Sequence, residues 1–184
     1  LGRIDVLLGD HYDALVKMNK QIALTGDTFP QAYYLRALAN GFVHQFAEAE
    51  HDFIKLLRQN PFGERMWGVY NDLAWIYFSK GEYTNAEKTA RAGLARFNNN
   101  AWLLNSLGVA LLGQDKGREA SAVLDDADNA AKLLTEKEVQ RAYPGNDPSV
   151  MGERTQTIKD IIAANLLLAR TGHAGGDAEI PGIA

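Results

Sequence analysis

Apolar side chains recur at helical spacing along most of the chain, most clearly in residues 70–94. There Tyr70, Leu73, Ala74 and Tyr77 fall at i, i+3, i+4 and i+7, which places core-type side chains on one helical face. Lys80-Gly81 ends that pattern and Glu82 is an acidic restart. Ala86, Ala90, Gly93 and Leu94 then follow at i, i+4, i+7 and i+8. The small residues of the second face let the two helices lie close together. One such hairpin cannot bury both of its apolar faces, so the pattern predicts neighbours of the same kind.

The rest of the chain supplies them. Residues 1–27 read as the last turns of one helix, a turn at Gly9-Asp10 and a full helix through Ala14, Met18 and Ile22. Thr28-Phe29-Pro30 opens the next unit with a capping residue and an early proline; helical patterns over 32–42 and 47–59 follow, and Asn60-Pro61 closes it. After Phe97 and the polar run 98–100, residues 102–113 place Leu104, Leu107, Gly108 and Leu111 on one face. Ala120, Leu124 and Ala127 then mark the facing helix.

The alanines that begin each second helix, Ala14, Ala49, Ala86 and Ala120, recur at a near-constant period of roughly 34 to 37 residues. Leu1-Gly2, Leu73-Ala74 and Leu107-Gly108 form a large-small pair at a matching distance before their alanines, and Pro61 lies a similar distance after Ala49. This register resembles the tetratricopeptide repeat (TPR) family, a helix-turn-helix unit of about 34 residues with that pair, a later small residue and a closing proline. The resemblance implies an all-α, right-handed α-solenoid of about four hairpins, the first and last incomplete. Its units fall at about 1–29, 30–66, 67–100 and 101–134.

Several positions depart from that pattern. Arg36 and Asn40 stand where large apolar residues are usual, while Leu35, Leu38, Ala39 and Phe42 offer a rotated face, so that helix is expected to be turned or shifted. Nothing breaks the fourth unit at Lys132, and its second helix is expected to run on through Leu133, Leu134 and Val139 to about Ala142. An insertion over 135–157 contains the YPGNDPS loop, whose prolines and glycine interrupt any helix. A further helix, with Ile158, Ile161, Ile162, Asn165 and Leu168 near one side, and a tail occupy 158–184. Thr171-Gly172-His173 reads as the turn of an unfinished fifth hairpin.

Composition narrows the function. With 184 residues, 46% hydrophobic and 23% charged, the chain can bury a sizeable core; a net charge of −4 in mixed-sign segments lacks the basic stripe of a nucleic-acid surface. No apolar run is long enough to span a membrane and no signal peptide is visible. Leu1 inside a helical pattern reads as a cut in a longer protein, upstream of which an anchor or leader can stand. Zero cysteines excludes disulfides, zinc-thiolate sites and thiol nucleophiles, and leaves cytoplasm and periplasm equally open.

Catalytic patterns are missing: His11, His44, His51 and His173 form no HExxH, and no phosphate-binding glycine loop or GxSxG occurs. Asp125, Asp126 and Asp128 are spread round a helix as a solvated face. Asn146-Asp147 lacks the ligand pattern of a calcium loop and fits turn chemistry. No catalytic residue, metal site or cofactor is therefore expected.

Binding is better signalled. In the resembled family the first helices line a concave groove that holds peptides or partner helices. The matching positions are Tyr34, Leu38 and Phe42; Asn71, Trp75 and Phe78; and Asn105, Val109 and Leu112. Asn71 and Asn105, one repeat apart, read either as amides that grip a peptide backbone or as capping or inter-helix hydrogen bonds. Trp75 and Phe78 read either as ligand contacts or as packing against the next unit. The cationic clamp used on chaperone tails is absent, since Gln31, Gly68 and Trp102 precede Tyr34, Asn71 and Asn105. The expected function is a non-catalytic protein-interaction or scaffold module for a protein or peptide partner. The alternative is a soluble assembly or regulatory domain of a larger enzyme or membrane-anchored protein, self-associating as a homo-oligomer through its C-terminal part.

Overall fold

The computed structural model describes residues 10–142 and 151–172. Leu1-Gly2, Asn146-Asp147, His173 and the tail lie outside them. Among the described residues the regular structure is helical throughout: α1 His11–Thr25, α2 Pro30–Phe42, α3 Phe46–Gln59, α4 Met66–Ser79, α5 Tyr83–Arg96, α6 Ala101–Leu112, α7 Gly117–Lys132, α8 Glu136–Ala142 and α9 Met151–Thr171, with single 3-10 turns at Gly26–Thr28 and Gly63–Arg65. Local chemistry sets several starts. Asp10 accepts from the Asp13 N–H at 3.3 Å, Pro30 occupies the first turn of α2, and Asn100 accepts from the Leu103 N–H at 3.1 Å.

Three hairpin turns repeat one another. His44, Gly81 and Asp115 take φ of 60°, 74° and 59°, and the next residue reaches back five positions: Gln45 N–H to Asn40, Glu82 N–H to Tyr77 and Lys116 N–H to Leu111. This closure satisfies carbonyls that a helix end leaves open. The turn positions recur at the same intervals as Ala49, Ala86 and Ala120, which are buried, as is Ala14. Among the described residues the structure is helical-repeat-like: the helices from α1 to α7 pack on their sequence neighbours, and α9 packs chiefly on α7. The first helices of successive hairpins also touch, α2 on α4, α4 on α6 and α6 on α9.

The core is a series of clusters along this array. Phe53 and Leu56 of α3 are fully buried with Met66, Val69, Leu73 and Ile76 of α4. At about 25 cal/mol per Å² of apolar area, each large side chain contributes ~1.5–3 kcal/mol. Further along, Leu107, Leu111 and Leu124 join Leu166 and Ala169 of α9. Gly108 exists for close approach: a Cβ there would run into Leu124 Cγ. Trp102 stacks on Trp67, ring centres 4.9 Å apart, and shares a cluster with Val139 of α8 and Ile162 of α9.

Two expectations need correction. Helix α2 is neither turned nor shifted, because Ala37, at the small position of the pair, is buried like Ala74 and Gly108. Of the supposed rotated face only Ala39 is fully buried, and Phe42 is 37% exposed. Arg36 replaces the large apolar residue by pairing with α3, its Nε 2.7 Å from Asp52 Oδ2 and its second nitrogen 2.8 Å from Oδ1. Nor does α7 run on to Ala142. Thr135 and Glu138 close a reciprocal cap, the Glu138 carboxylate 2.9 Å from Thr135 N and Thr135 Oγ1 3.3 Å from Glu138 N, which starts α8 afresh.

Charged contacts repeat with the hairpins as well. Glu50 takes Lys80 at 2.8 Å, and Glu87, one repeat later, takes Lys116 at 3.0 Å from the next turn. Burial works against the charge on Glu87, but hydrogen bonds from Arg91, Gln114 and Lys116 hold its carboxyl down to about 2. Tyr77, whose hydroxyl donates to Glu50 at 3.0 Å, is pushed up to about 12 by burial and that bond.

Candidate functional site

The row formed by α2, α4, α6 and α9 carries the residues singled out from the sequence. Tyr34 is half-buried, its ring edge-on to Phe53 and Phe62, and its hydroxyl donates to Asp72 at 2.5 Å. Asn71 donates to the Asp72 carboxylate at 3.1 Å and accepts from the Ser106 hydroxyl at 2.8 Å. Asn105 accepts from Asn165 at 2.9 Å. Tyr34, Asn71 and Asn105 thus each join a bond between successive first helices, Asn71 through its amide oxygen while its amide nitrogen is held by Asp72 on the same helix. Of the two readings, inter-helix bonding is the one this arrangement displays.

The remaining residues divide into an open group and a covered one. Leu38 packs between two core clusters. Phe42 stacks on His11, ring centres 4.5 Å apart, and lies 5.3 Å from the Trp75 ring. Trp75 reaches that place because Gly41 lacks a side chain; a Cβ would stand 2.6 Å from its ring. Phe78 meets Tyr83 at 5.1 Å. Asn105, Val109 and Leu112 are 7%, 2% and 2% exposed. These three are a correction to the expected open groove: α9 packs on α6, with Asn165 on Asn105 and Leu166 in the cluster of Leu112, so no partner reaches them here.

Sequence reasoning passed over Asp72 and Ser106. They stand one repeat apart, immediately after Asn71 and Asn105, and reading one register further would have found them. Asp72 is crowded by protein atoms while the residue keeps a solvent-facing edge. Burial lifts its carboxyl to about 6, against the opposing hydrogen bonds of Tyr34 and Asn71. Because the folded value lies above the unfolded one, the stabilisation is complete below about pH 4 and is lost as pH rises through about 6. Asp72→Asn should therefore gain about 1 kcal/mol on wild type between pH 4 and 8, after allowing for partial solvation. Urea unfolding of both proteins across that range checks it; parallel pH profiles would refute it.

Two open depressions flank the hairpin turns, one of about 310 Å³ at Tyr83 and Gln114 and one of about 560 Å³ at Lys116, Arg118 and Arg170. Lys116 is turned to Glu87 and Arg170 to Asp125. Among the described residues no three histidine or acidic side chains gather as a metal site, and no helix is long and apolar enough to cross a membrane. Compared with models of protein families, with curated proteins and with solved structures, the chain matches none.

Proposed function

We propose that the chain is a TPR-like, non-catalytic protein-interaction module whose partner, a peptide or a helix, lies across α2 and α4. The observation that carries this is the partly open aromatic pair Phe42 and Trp75 beside the Tyr34 to Asn71 seam, on helices stacked at the repeat spacing. Aromatic side chains provide large contact area at small entropic cost, which suits an anchoring role. Of the expected groove residues, Tyr34, Leu38, Phe42, Asn71, Trp75 and Phe78 remain in the proposed contact region.

A second reading is favoured by Leu133, just past the end of α7, and Leu167 of α9, which are 76% and 63% exposed. Under it the module is an assembly domain of a larger protein that associates with its own copies through this C-terminal face. One capture experiment addresses both. Immobilised wild type is compared with Phe42→Ala, Trp75→Ala and Leu167→Glu, each checked by circular dichroism melting. The first reading expects a heterologous partner weakened at least about tenfold by Phe42→Ala or Trp75→Ala. Retention of that partner by both variants overturns it. Capture of the chain itself, lost only with Leu167→Glu, selects the second.

A further inference from the structure

Helix α9 continues the row of first helices, and its bond to α6 fixes its register. Ser106 meets Asn71 as Asn165 meets Asn105, so Asn165 stands where Ser106 does and Leu167 where Gly108 does. In α6 that glycine lets α7 close in, a Cβ there standing 2.4 Å from Leu124 Cγ. In α9 a leucine takes the place and is 63% exposed. A second helix at the repeat's close distance would collide with it, so this face is not shaped for one more hairpin helix of the same kind. Asp160, Ala163, Leu167 and Arg170 share the face at i, i+3, i+7 and i+10, and all four are exposed. That spacing is the seam of a two-helix coil. Its ends carry opposite charges and its middle a small and a large residue. Arg170 Nη2 donates to Asp125 at 2.5 Å, which leaves other guanidinium donors on a side chain 55% exposed. Asp160 accepts from the Gln156 amide at 2.8 Å, and no ion pair among the described residues includes it. Ten residues separate Asp160 from Arg170, about 15 Å along the axis, too far for them to neutralise each other.

We propose that α9 pairs antiparallel with α9 of a second copy of this chain. This rests on the self-association reading above and names the helix, the direction and the residues that carry it. The seam is its own complement. With the two-fold axis passing level with Asn165, Asp160 of each copy faces Arg170 of the other and Ala163 faces Leu167, so two ion pairs flank two small-on-large layers. Parallel pairing would set Asp160 against Asp160 and Arg170 against Arg170, and those like charges select against it. A seam of three turns buries less than the roughly 1,600 Å² of a standard stable interface, so the pairing is weak, with a Kd between about 10 μM and 1 mM. Inside a larger assembly that brings copies together, a contact of this strength sets how they are oriented.

The test is sedimentation equilibrium of the full chain at low salt, from about 10 μM to 1 mM. The average mass is expected to rise toward twice that of the chain as concentration increases. Asp160→Arg makes both charged positions of the seam cationic and Arg170→Asp makes both anionic. Each variant alone is expected to associate at least about tenfold more weakly than wild type. An equimolar mixture of the two is expected to regain the wild-type mass, which also shows that neither variant lost its fold. A mixture no more associated than its components overturns the antiparallel pairing. Association that ignores both charge changes yet is lost with Leu167→Glu removes this proposal and leaves the self-association reading intact. A monomer at every concentration overturns both.

Discussion

Arg36→Leu is expected to lower unfolding free energy by about 3 kcal/mol, because it leaves a buried carboxylate without its cation. Asp52 is 1% exposed, and both of its oxygens are held by the Arg36 guanidinium. Leucine is the residue type the repeat carries at the same place, Leu73 and Leu107, so the change introduces no foreign shape. The penalty therefore resides in Asp52 rather than in the new side chain. Arg36→Leu combined with Asp52→Leu should recover most of the loss, since replacing both members of a buried pair by apolar residues is often neutral or stabilising. Urea unfolding of the two proteins decides the matter. A double variant as unstable as the single would mean that the fold needs the pair itself.

Leu124→Ala should also cost about 3 kcal/mol, from lost burial and the cavity left behind. Leu124 is fully buried and fills the notch at Gly108. Gly108→Ala alone is expected to cost about 1 kcal/mol, as helix propensity offsets part of the overlap with Leu124. Together the two changes should fall short of their sum by at least about 1 kcal/mol, because the new methyl occupies space the leucine has vacated. Additive values in a double-mutant cycle would show that the notch and the leucine are energetically separate.

The helices from Pro30 to Lys132 are legible in the sequence because their signals are local: helical spacing, Pro30, Asn60, Gly81 and the alanines at each second helix. The break at Thr135 is local too, yet the apolar residues Leu133, Leu134 and Val139 on either side mask the cap that Thr135 and Glu138 form. Other features are pairings between helices. Arg36 looks like a departure until Asp52, on the next helix, is seen to match it. The recurrence of Asn71 and Asn105 is visible in the sequence, but only the stacking of α4, α6 and α9 shows that their amides meet Ser106 and Asn165. The packing of Leu112 with Leu166 likewise depends on α9, which the insertion moves about two dozen residues away from its repeat position.

The contacts between neighbouring helices also bear on how the chain reaches its native state. Since almost every packing partner is at most one hairpin away, closing any contact costs little loop entropy, apart from the approach of α9 to α6 and α7. A nucleus at α4 and α5 can grow outward one hairpin at a time, each added unit covering the apolar face the last one leaves open. The same architecture makes opening directional. Among the described residues α1 packs chiefly on α2, whereas α4 and α5 are packed by helices before and after them, so amide exchange is expected to be slower in α4 and α5 than in α1.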